Sequence, residues 1–501
     1  MLLADLAAQL GIAAGSAGEA RITGLAIDNR KVAPGNVFGA FAGEAVNGED
    51  FIPAAIASGA IAVIARPEAR VAGALHIPAA NPRLAFARAA AHFYQPVPPV
   101  VAAVTGTNGK TSVAEMTRQI WHMTGIRAAS IGTLGITTSD ECVSTGLTSP
   151  DIVTFFGTMT GLAREGVTHV AYEASSHGLS QYRSEGLAVA AGAFTNLSRD
   201  HLDYHGDMEA YFAAKMRLFG EVVTGGGAAV VWADDAEWSA RAIEAARLRG
   251  LALFTVGTKG ADIRLASRQP SALGQELALE YRGARHLIRL PLIGAYQAAN
   301  ALIAAGLVLA TGGDPALVFD ALGRLQPVRG RLERAAITAS GAPVYVDYAH
   351  TPDALTAAIA ALRPHVAGRL IAVFGAGGDR DRGKRASMGA AVHAGADVGI
   401  VTDDNPRGED PAAIRAAILA GMGPLTGAGG VLEIGDRRAA IAAAIAQAGA
   451  GDIVLIAGKG HEQGQIVGTG DKMQILPFDD VAAARDCAGG LQTSKPEENG
   501  L

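Results

Sequence analysis

The segment GTNGKTS at residues 106–112 follows the apolar run VVAAV and precedes a helical pattern. In a strand-turn-helix context, backbone N–H groups and a helix N-terminus can surround phosphate. Gly106, Thr107, Asn108, Gly109, Lys110, Thr111 and Ser112 are therefore read as nucleotide-binding residues, with Lys110 reaching the terminal phosphates and Thr111 offering a hydroxyl to Mg²⁺. The strict G-x-x-x-x-G-K-[ST] spacing fails, because Val104 stands at its first position. The competing reading is an ordinary glycine turn with an exposed lysine.

Two further segments, YEASSHGL at 172–179 and TNLSRDHLDYHGD at 195–207, end the next strand-like runs. Phosphoryl transfer needs the charge of a triphosphate neutralised, so Glu173 and His201 are candidate Mg²⁺ ligands. Taken singly, each has a structural alternative: a glutamate capping the next turn, or a histidine satisfied by Asp203. In MEAYFAAKMRLF, Lys215 lies on the apolar stripe of Met208, Tyr211 and Phe212. Such a lysine either snorkels to water or is desolvated, and a desolvated, neutral amine can take up CO₂ as a carbamate, turning a cation into a metal-binding anion.

The elements that must position these groups follow from length and composition. A chain of 501 residues suggests about three domains. Hydrophobic residues at 49% and charged residues at 18% exclude a solvated disordered chain. The net charge of −6 provides no basic field for nucleic acid, and no spanning helix or signal peptide is expected, so the cytoplasm is the expected compartment. Only Cys142 and Cys487 are present, too few for a metal cluster or a disulfide framework.

The proline-rich QPVPPV at 95–100 reads as a linker closing a first domain, 1–98. A parallel α/β core follows over 99–327, with a strand-rich insertion at 251–293 (LALFTVG, QELALEYRG, RHLIRLPL) and an Ala-rich helix from about 296 to 311. Over 328–488, APVYVDYAH, RLIAVFGAGGDRD, DVGIVTDDNPR, GVLEIGDR and DIVLIAGKGHE each place an apolar run before a polar loop. This pattern predicts a doubly wound sheet with ligands at its carboxyl ends. The tail 489–501 is expected to be disordered. The fold class is thus α/β with three domains, a central P-loop ATPase-type parallel sheet and a C-terminal Rossmann-like doubly wound sheet.

GTNGKTS, YEASSHGLSQYR, NLSRDHLDYHGDMEAYFAAK, DYAHTPDAL, FGAGGDRDRGKR, TDDNPR and GKGHE, in this order, resemble the Mur ligases, in particular their diaminopimelate-adding branch. The resemblance spans DNR at 28–30 to PFDD at 477–480. It implies a monomeric cytoplasmic enzyme of peptidoglycan precursor synthesis with ATP and Mg²⁺ as cofactors, and neither nucleic acid nor membrane insertion. Lys110, Lys215 and His201 become the catalytic candidates, with Thr111, Glu173, His201 and a carbamylated Lys215 as the metal set. Asn300, Arg331, Asp347 and His350 match further nucleotide contacts; Asn29, Thr148, Ser149, Ser175, Gln181 and Arg183 match positions that hold the UDP-linked muramoyl dipeptide. The sequence departs from the family pattern at Asn29, Ser149, Gln297 and Arg329.

The implied reaction is ATP-dependent ligation of meso-diaminopimelate to UDP-N-acetylmuramoyl-L-alanyl-D-glutamate through an acyl phosphate. The loops bearing Arg380, Asp404, Asn405, Pro406 and Arg407, and Gly458 and Glu462, should meet at the strand ends and hold the diaminopimelate. A second amino-carboxylate centre needs a planar cation and an anion, which Arg407 and Glu462 supply. DNPR in isolation is equally a proline turn with a solvated arginine. The rival functions are a lysine-adding muramyl ligase, a folylpolyglutamate-synthase-like ligase and a non-synthetic P-loop ATPase.

Overall fold

The computed structural model describes residues 1–43, 46–139, 141–143, 150–235, 237–271, 274–423 and 430–489. The chain separates into two compact units, Met1–Ala261 with Ile303–Val318, and Asp262–Leu302 with Phe319–Leu501. Among the described residues, no helix is long and apolar enough to cross a membrane.

The first unit opens with a parallel four-stranded sheet, β1 (Gly24–Ala26), β2 (Asn36–Gly39), β3 (Ala62–Ala65) and β4 (Leu75–Pro78), paired in that order. Helix Pro82–Phe93 starts at Asn81, whose side chain accepts from Leu84 N, with Pro82 at its first turn where no intrahelical N–H is needed. Its Phe86 is fully buried.

The larger sheet of this unit contains β5 (Val100–Thr105), β6 (Ala128–Gly132), β7 (Gly135–Thr137), β8 (Cys142–Val143), β9 (His169–Glu173), β10 (Val189–Phe194), β11 (Val223–Trp232) and β12 (Ala252–Gly257), in the order β12-β11-β10-β5-β9-β6-β7-β8. Pairing is parallel from β12 to β6 and antiparallel at β7 and β8. The run 251–257, expected to belong to the strand-rich insertion, instead forms β12 and extends the parallel core beside β11. A short apolar run does not state which strand it will join; pairing decides that. Val101, Ala102, Ala103 and Val104 are wholly buried, and each fully buried valine contributes about 1.5–3 kcal/mol. The register pairs Val104 with Glu173 and Thr105 with Phe194, so the loops leaving β5, β9 and β10 emerge side by side.

In the second unit, β13 (Ile263–Ser271), β14 (Gly274–Tyr281) and β15 (Ala284–Leu290) form an antiparallel meander, and helix Ala295–Ala310 begins shortly after. Six further strands follow: β16 (Glu333–Ile337), β17 (Pro343–Asp347), β18 (Leu370–Phe374), β19 (Val398–Val401), β20 (Val431–Glu433) and β21 (Ile453–Ala457), ordered β16-β17-β21-β18-β19-β20. All pairs are parallel except β16 with β17. Leu370, Ala372 and Phe374 enter one core and Ile371 and Val373 another, so both faces of β18 are covered, as the unbroken apolar runs require. A small hairpin, β22 (Gly464–Val467) with β23 (Gln474–Pro477), precedes helix Asp480–Gly489. The tail expected to be disordered lies, beyond Gly489, outside the described residues.

Candidate active site

The phosphate-loop candidate leaves β5, the strand between β9 and β10, and runs into helix Lys110–Met123. Gly106 (φ +140°) and Gly109 (φ +90°) both occupy the positive-φ region, and a Cβ on Gly106 would collide with the Thr195 hydroxyl. The loop after β10 clamps this turn. Thr195 Oγ1 donates to Asn108 O at 2.6 Å, Asn196 Oδ1 accepts from Asn108 N at 3.0 Å, and Ser198 N donates to Thr107 Oγ1 at 3.0 Å. Lys110 Nζ donates to the carbonyls of Gly106 (3.0 Å) and Thr107 (2.8 Å). Thr111 and Ser112 are buried in the first helical turn.

Lys215 sits in helix Met208–Arg217, capped by Asp207, and is 1% exposed. The snorkelling alternative is therefore wrong for this residue. Its ammonium donates to Gly106 O at 2.7 Å and lies 4.3 Å from the Tyr211 ring centroid. Burial, and then the charge of Lys110, push its pKa well below the ordinary lysine value. Glu173 ends β9, is buried, and accepts from Thr133 N at 2.6 Å and Thr133 Oγ1 at 3.2 Å. His201 adopts φ +52° and faces Asp200 at 3.5 Å, rather than the Asp203 considered from sequence. Partial burial lowers its pKa to about 4, opposed by Asp200 and assisted by His177, Lys110 and Lys215.

Among the described residues, no three His, Cys, Asp or Glu side chains gather closely enough to cage a metal ion. Mg²⁺ does not need such a cage, since it keeps waters and takes phosphate oxygens beside one or two carboxylates. The oxygens of Thr111 and Glu173 suit a hard cation. An unmodified Lys215 ammonium does not; burial, which lowers its pKa, favours the neutral amine that CO₂ could convert to a carbamate.

The other first-unit candidates are found as follows. Ser175 caps helix Ser176–Ser180 and accepts from Gly178 N. Arg183 donates to Gln181 Oε1 at 2.8 Å, and Gln181 in turn reaches the Tyr204 hydroxyl at 3.4 Å. Arg183 and Glu173 both line one small cavity of 10 Å³, together with Tyr172 and Leu179. Asn29 lies in a single 3-10 turn started by Asp28, whose carboxylate receives Arg30. Thr148 and Ser149 lie outside the described residues.

In the second unit Gln297, one of the departures from the family pattern, connects two nucleotide candidates. It accepts from Asn300 Nδ2 at 3.2 Å and donates to Arg331 O at 3.0 Å. Arg329, another departure, pairs with Asp479 at 2.7 Å. Asp347, at the end of β17, accepts from Leu332 N (2.7 Å) and Ala349 N (2.8 Å), and burial raises its pKa to about 6. The Arg331 guanidinium lies over the Tyr348 ring, and His350 Nδ1 is 2.8 Å from Tyr348 O.

The loops after β18, β19 and β21 meet at the carboxyl ends of the strands, as the parallel-sheet rule requires. Arg407 N^η1 donates to Gly378 O at 3.0 Å, and its backbone, at φ +50°, bridges to Val467. A non-glycine residue held there costs of order 1 kcal/mol, a strain met where surrounding structure fixes a side chain for use. Asn405 Nδ2 donates to Glu462 Oε2 at 2.9 Å. Gly458 (φ +120°) lets the chain pass Asp404, since a Cβ there would lie 2.7 Å from Asp404 Oδ2. Pro406 is buried and Arg380 exposed. Sequence reasoning missed three groups beneath this surface: Lys459, wholly buried, and the Arg437–Asp480 pair at 2.7 Å, 1% and 0% exposed. The lysine between two glycines after a five-residue apolar strand was the available signal; Arg437 and Asp480 had none.

A glycine-lysine loop on the central strand of one parallel sheet, and a second doubly wound sheet with charged strand-end loops, define a multidomain α/β enzyme of the nucleotide-dependent type. Three family models match successive stretches: the Mur ligase family catalytic domain over 21–106, the Mur ligase middle domain over 104–308 and the Mur ligase glutamate ligase domain over 330–460. The two compact units thus carry three domains. Two relatives named UDP-N-acetylmuramoyl-L-alanyl-D-glutamate–2,6-diaminopimelate ligase are similar almost end to end. That of Zymomonas mobilis is 60% identical over 93% of this chain and 94% of its own. That of Bradyrhizobium diazoefficiens is 52% identical over 92% and 94%. A solved structure bearing the same enzyme name has a TM-score of 0.71 at 34% identity, covering 98% of this chain and 99% of that one. The folylpolyglutamate synthase of Mycobacterium tuberculosis shares the fold, with a TM-score of 0.62 at 22% identity over 75% of this chain and 92% of its own. The chain belongs to the Mur ligase family, and is accordingly a ligase that forms peptide bonds with ATP.

Proposed function

We propose that this ligase joins meso-diaminopimelate to UDP-N-acetylmuramoyl-L-alanyl-D-glutamate, in the cytoplasm and as a monomer, with 1–98 receiving the UDP-linked substrate, 99–327 ATP and 328–488 the amino acid. The observation that carries the choice of amino acid is the strand-end group of Arg407, Asn405 and Glu462, a guanidinium and a carboxylate fixed at one end of one sheet. The names of the relatives at 60% and 52% identity support the same reading.

A carboxylate and an ammonium do not condense unaided in water. The γ-phosphoryl of ATP passes to the D-glutamyl γ-carboxylate, releasing ADP and forming an acyl phosphate. The free amine of diaminopimelate then attacks the acyl carbon, a proton is lost, and phosphate leaves as the amide forms. Lys110 and the N–H groups of 106–112 hold the phosphates in line, so their contribution is positioning and charge stabilisation rather than covalent catalysis. Thr111, Glu173, His201 and carbamylated Lys215 would hold Mg²⁺, which when bound neutralises phosphate charge. Asn300, Arg331, Asp347 and His350 complete the nucleotide contacts. Asn29, Thr148, Ser149, Ser175, Gln181 and Arg183 receive the muramoyl dipeptide, and Arg380, Asp404, Pro406 and Gly458 complete the amino-acid site.

The test is phosphate release from ATP with the UDP-linked dipeptide, screened against a panel of amino acids. Release should require both acceptor and diaminopimelate, and Lys110→Ala should abolish it with circular dichroism unchanged. Preferential use of L-lysine would identify a lysine-adding ligase. Rapid hydrolysis with neither substrate present would identify a non-synthetic ATPase.

A further inference from the structure

Among the described residues of the strand-end loops, Lys459 combines a charge with complete burial. It follows β21, is 0% exposed, and its ammonium has three protons to place. One goes to Asn405 Oδ1 at 2.8 Å and one to Gly464 O at 2.7 Å. The third points to a space shared by Asp404 Oδ1 and Glu462 Oε2, each 3.5 Å away. Among the described residues, Asp404 Oδ1 has no hydrogen-bond partner, so this ion pair is what compensates it.

The geometry also settles which way the Asn405 amide faces. Its Oδ1 accepts from Lys459 Nζ and from Ile466 N at 2.9 Å, so that end must be the carbonyl and the other end the NH₂ group. The NH₂ group then donates to Glu462 at 2.9 Å. Glu462 is 31% exposed on its side chain, so an incoming ligand can touch it while Lys459 stays out of reach beneath.

We propose that Lys459 is a positioning residue for amino-acid recognition: its ammonium fixes the Asn405 amide and, through it, holds the Glu462 carboxylate aimed at the far ammonium of the substrate. This rests on reading Asn405 and Glu462 as the amino-acid site. The groups facing Glu462 are Asp404 and Lys459, with Asn405 bonded to it and the Arg437 guanidinium within electrostatic reach. Burial and Asp404 raise the Glu462 pKa, and Asn405 and Lys459 oppose them. Replacing the ammonium by an uncharged side chain leaves the two carboxylates without the Lys459 charge, which favours proton uptake by Glu462.

The experiment compares natural protein, Lys459→Met and Lys459→Arg in the full chain. KM and kcat for meso-diaminopimelate are measured between pH 6.5 and 8.5, with KM for ATP as a control. In Lys459→Met the diaminopimelate KM should rise about tenfold or more near neutrality and recover as pH rises, while kcat at saturation and KM for ATP change less than about threefold. An unchanged diaminopimelate KM, a pH profile parallel to that of the natural protein, or equal losses for every substrate would overturn the inference. Should the methionine variant not fold, Lys459→Arg decides: it keeps the charge but displaces it, so KM should rise with no displacement of the pH profile, and any other pattern counts against the role. Failure of the natural protein to use diaminopimelate at all would instead refute the reading of the site.

Discussion

Lys215 and Lys110 donate to the same oxygen, the carbonyl of Gly106, at 2.7 and 3.0 Å. Two ammonium groups converge on one acceptor in a space where Lys215 is 1% exposed. Lost hydration, and then the like charge of Lys110, lower the pKa of Lys215, the buried member of the pair. One carbonyl of the glycine turn thus ties both lysines to the same loop.

If Lys215 works as a carbamate, Lys215→Ala should lower turnover by about 100-fold or more, at least as much as losing an outer-shell partner of a metal ligand costs. Added acetate or propionate should restore part of the activity by returning oxygens to the metal. Mass spectrometry cannot be the sole readout, because carbamates revert on acidification; the measurement is activity against carboxylate concentration. Full activity in the alanine variant would exclude the carbamate.

Arg407→Ala should reduce kcat/KM for meso-diaminopimelate by about 10- to 100-fold, the worth of a hydrogen bond to a charged group at about 1.5–3 kcal/mol. L-Lysine lacks the distal carboxylate, so its poor use should barely change. Steady-state rates with both amino acids in both proteins check this. Unchanged diaminopimelate kinetics would assign Arg407 to holding Gly378 alone.

Asp347 makes stability depend on pH. Its carboxyl is raised from the ordinary 3.8 to about 6, burial outweighing Arg331 and the N–H groups of Leu332 and Ala349. The folded protein binds this proton more tightly than the unfolded chain, so the group's contribution is full below pH 3.8 and is lost as pH rises through about 6. Between pH 5 and pH 7 the natural protein should lose about 1 kcal/mol relative to Asp347→Asn. Urea unfolding of both proteins at the two pH values measures the difference, and parallel behaviour would disprove it.

The Arg437–Asp480 pair ties helix Arg437–Gln447 to helix Asp480–Gly489 by two bonds of 2.7 Å with both partners buried. Arg437→Ala strands a buried carboxylate and should cost about 3–5 kcal/mol in urea unfolding. Arg437 N^η2 also donates to Ala457 O at 3.0 Å, next to Gly458, so diaminopimelate KM should rise as well. A loss below 1 kcal/mol would mean that water reaches the site.

The sequence alone determined what depends on local order along the chain. Apolar runs followed by Gly-rich loops are enough to mark parallel strands and the ends at which ligands gather, so GTNGKTS, DNPR and GKGHE could be placed before any coordinates. The stripe of Met208, Tyr211 and Phe212 already put Lys215 on the inward face of its helix, because a 3.6-residue period is a geometric constraint. Tertiary structure decided whatever depended on groups distant in sequence. It turned the run 251–257 into a core strand rather than part of an insertion, brought Asp200 rather than Asp203 to His201, and set Gln297 between Asn300 and Arg331. Lys459 and Asn405 lie 54 positions apart, and Arg437 and Asp480 lie 43 apart. Hydrogen bonds and ion pairs act over about 3–4 Å and carry no periodicity, so such partners meet only once the strands have fixed where their loops emerge.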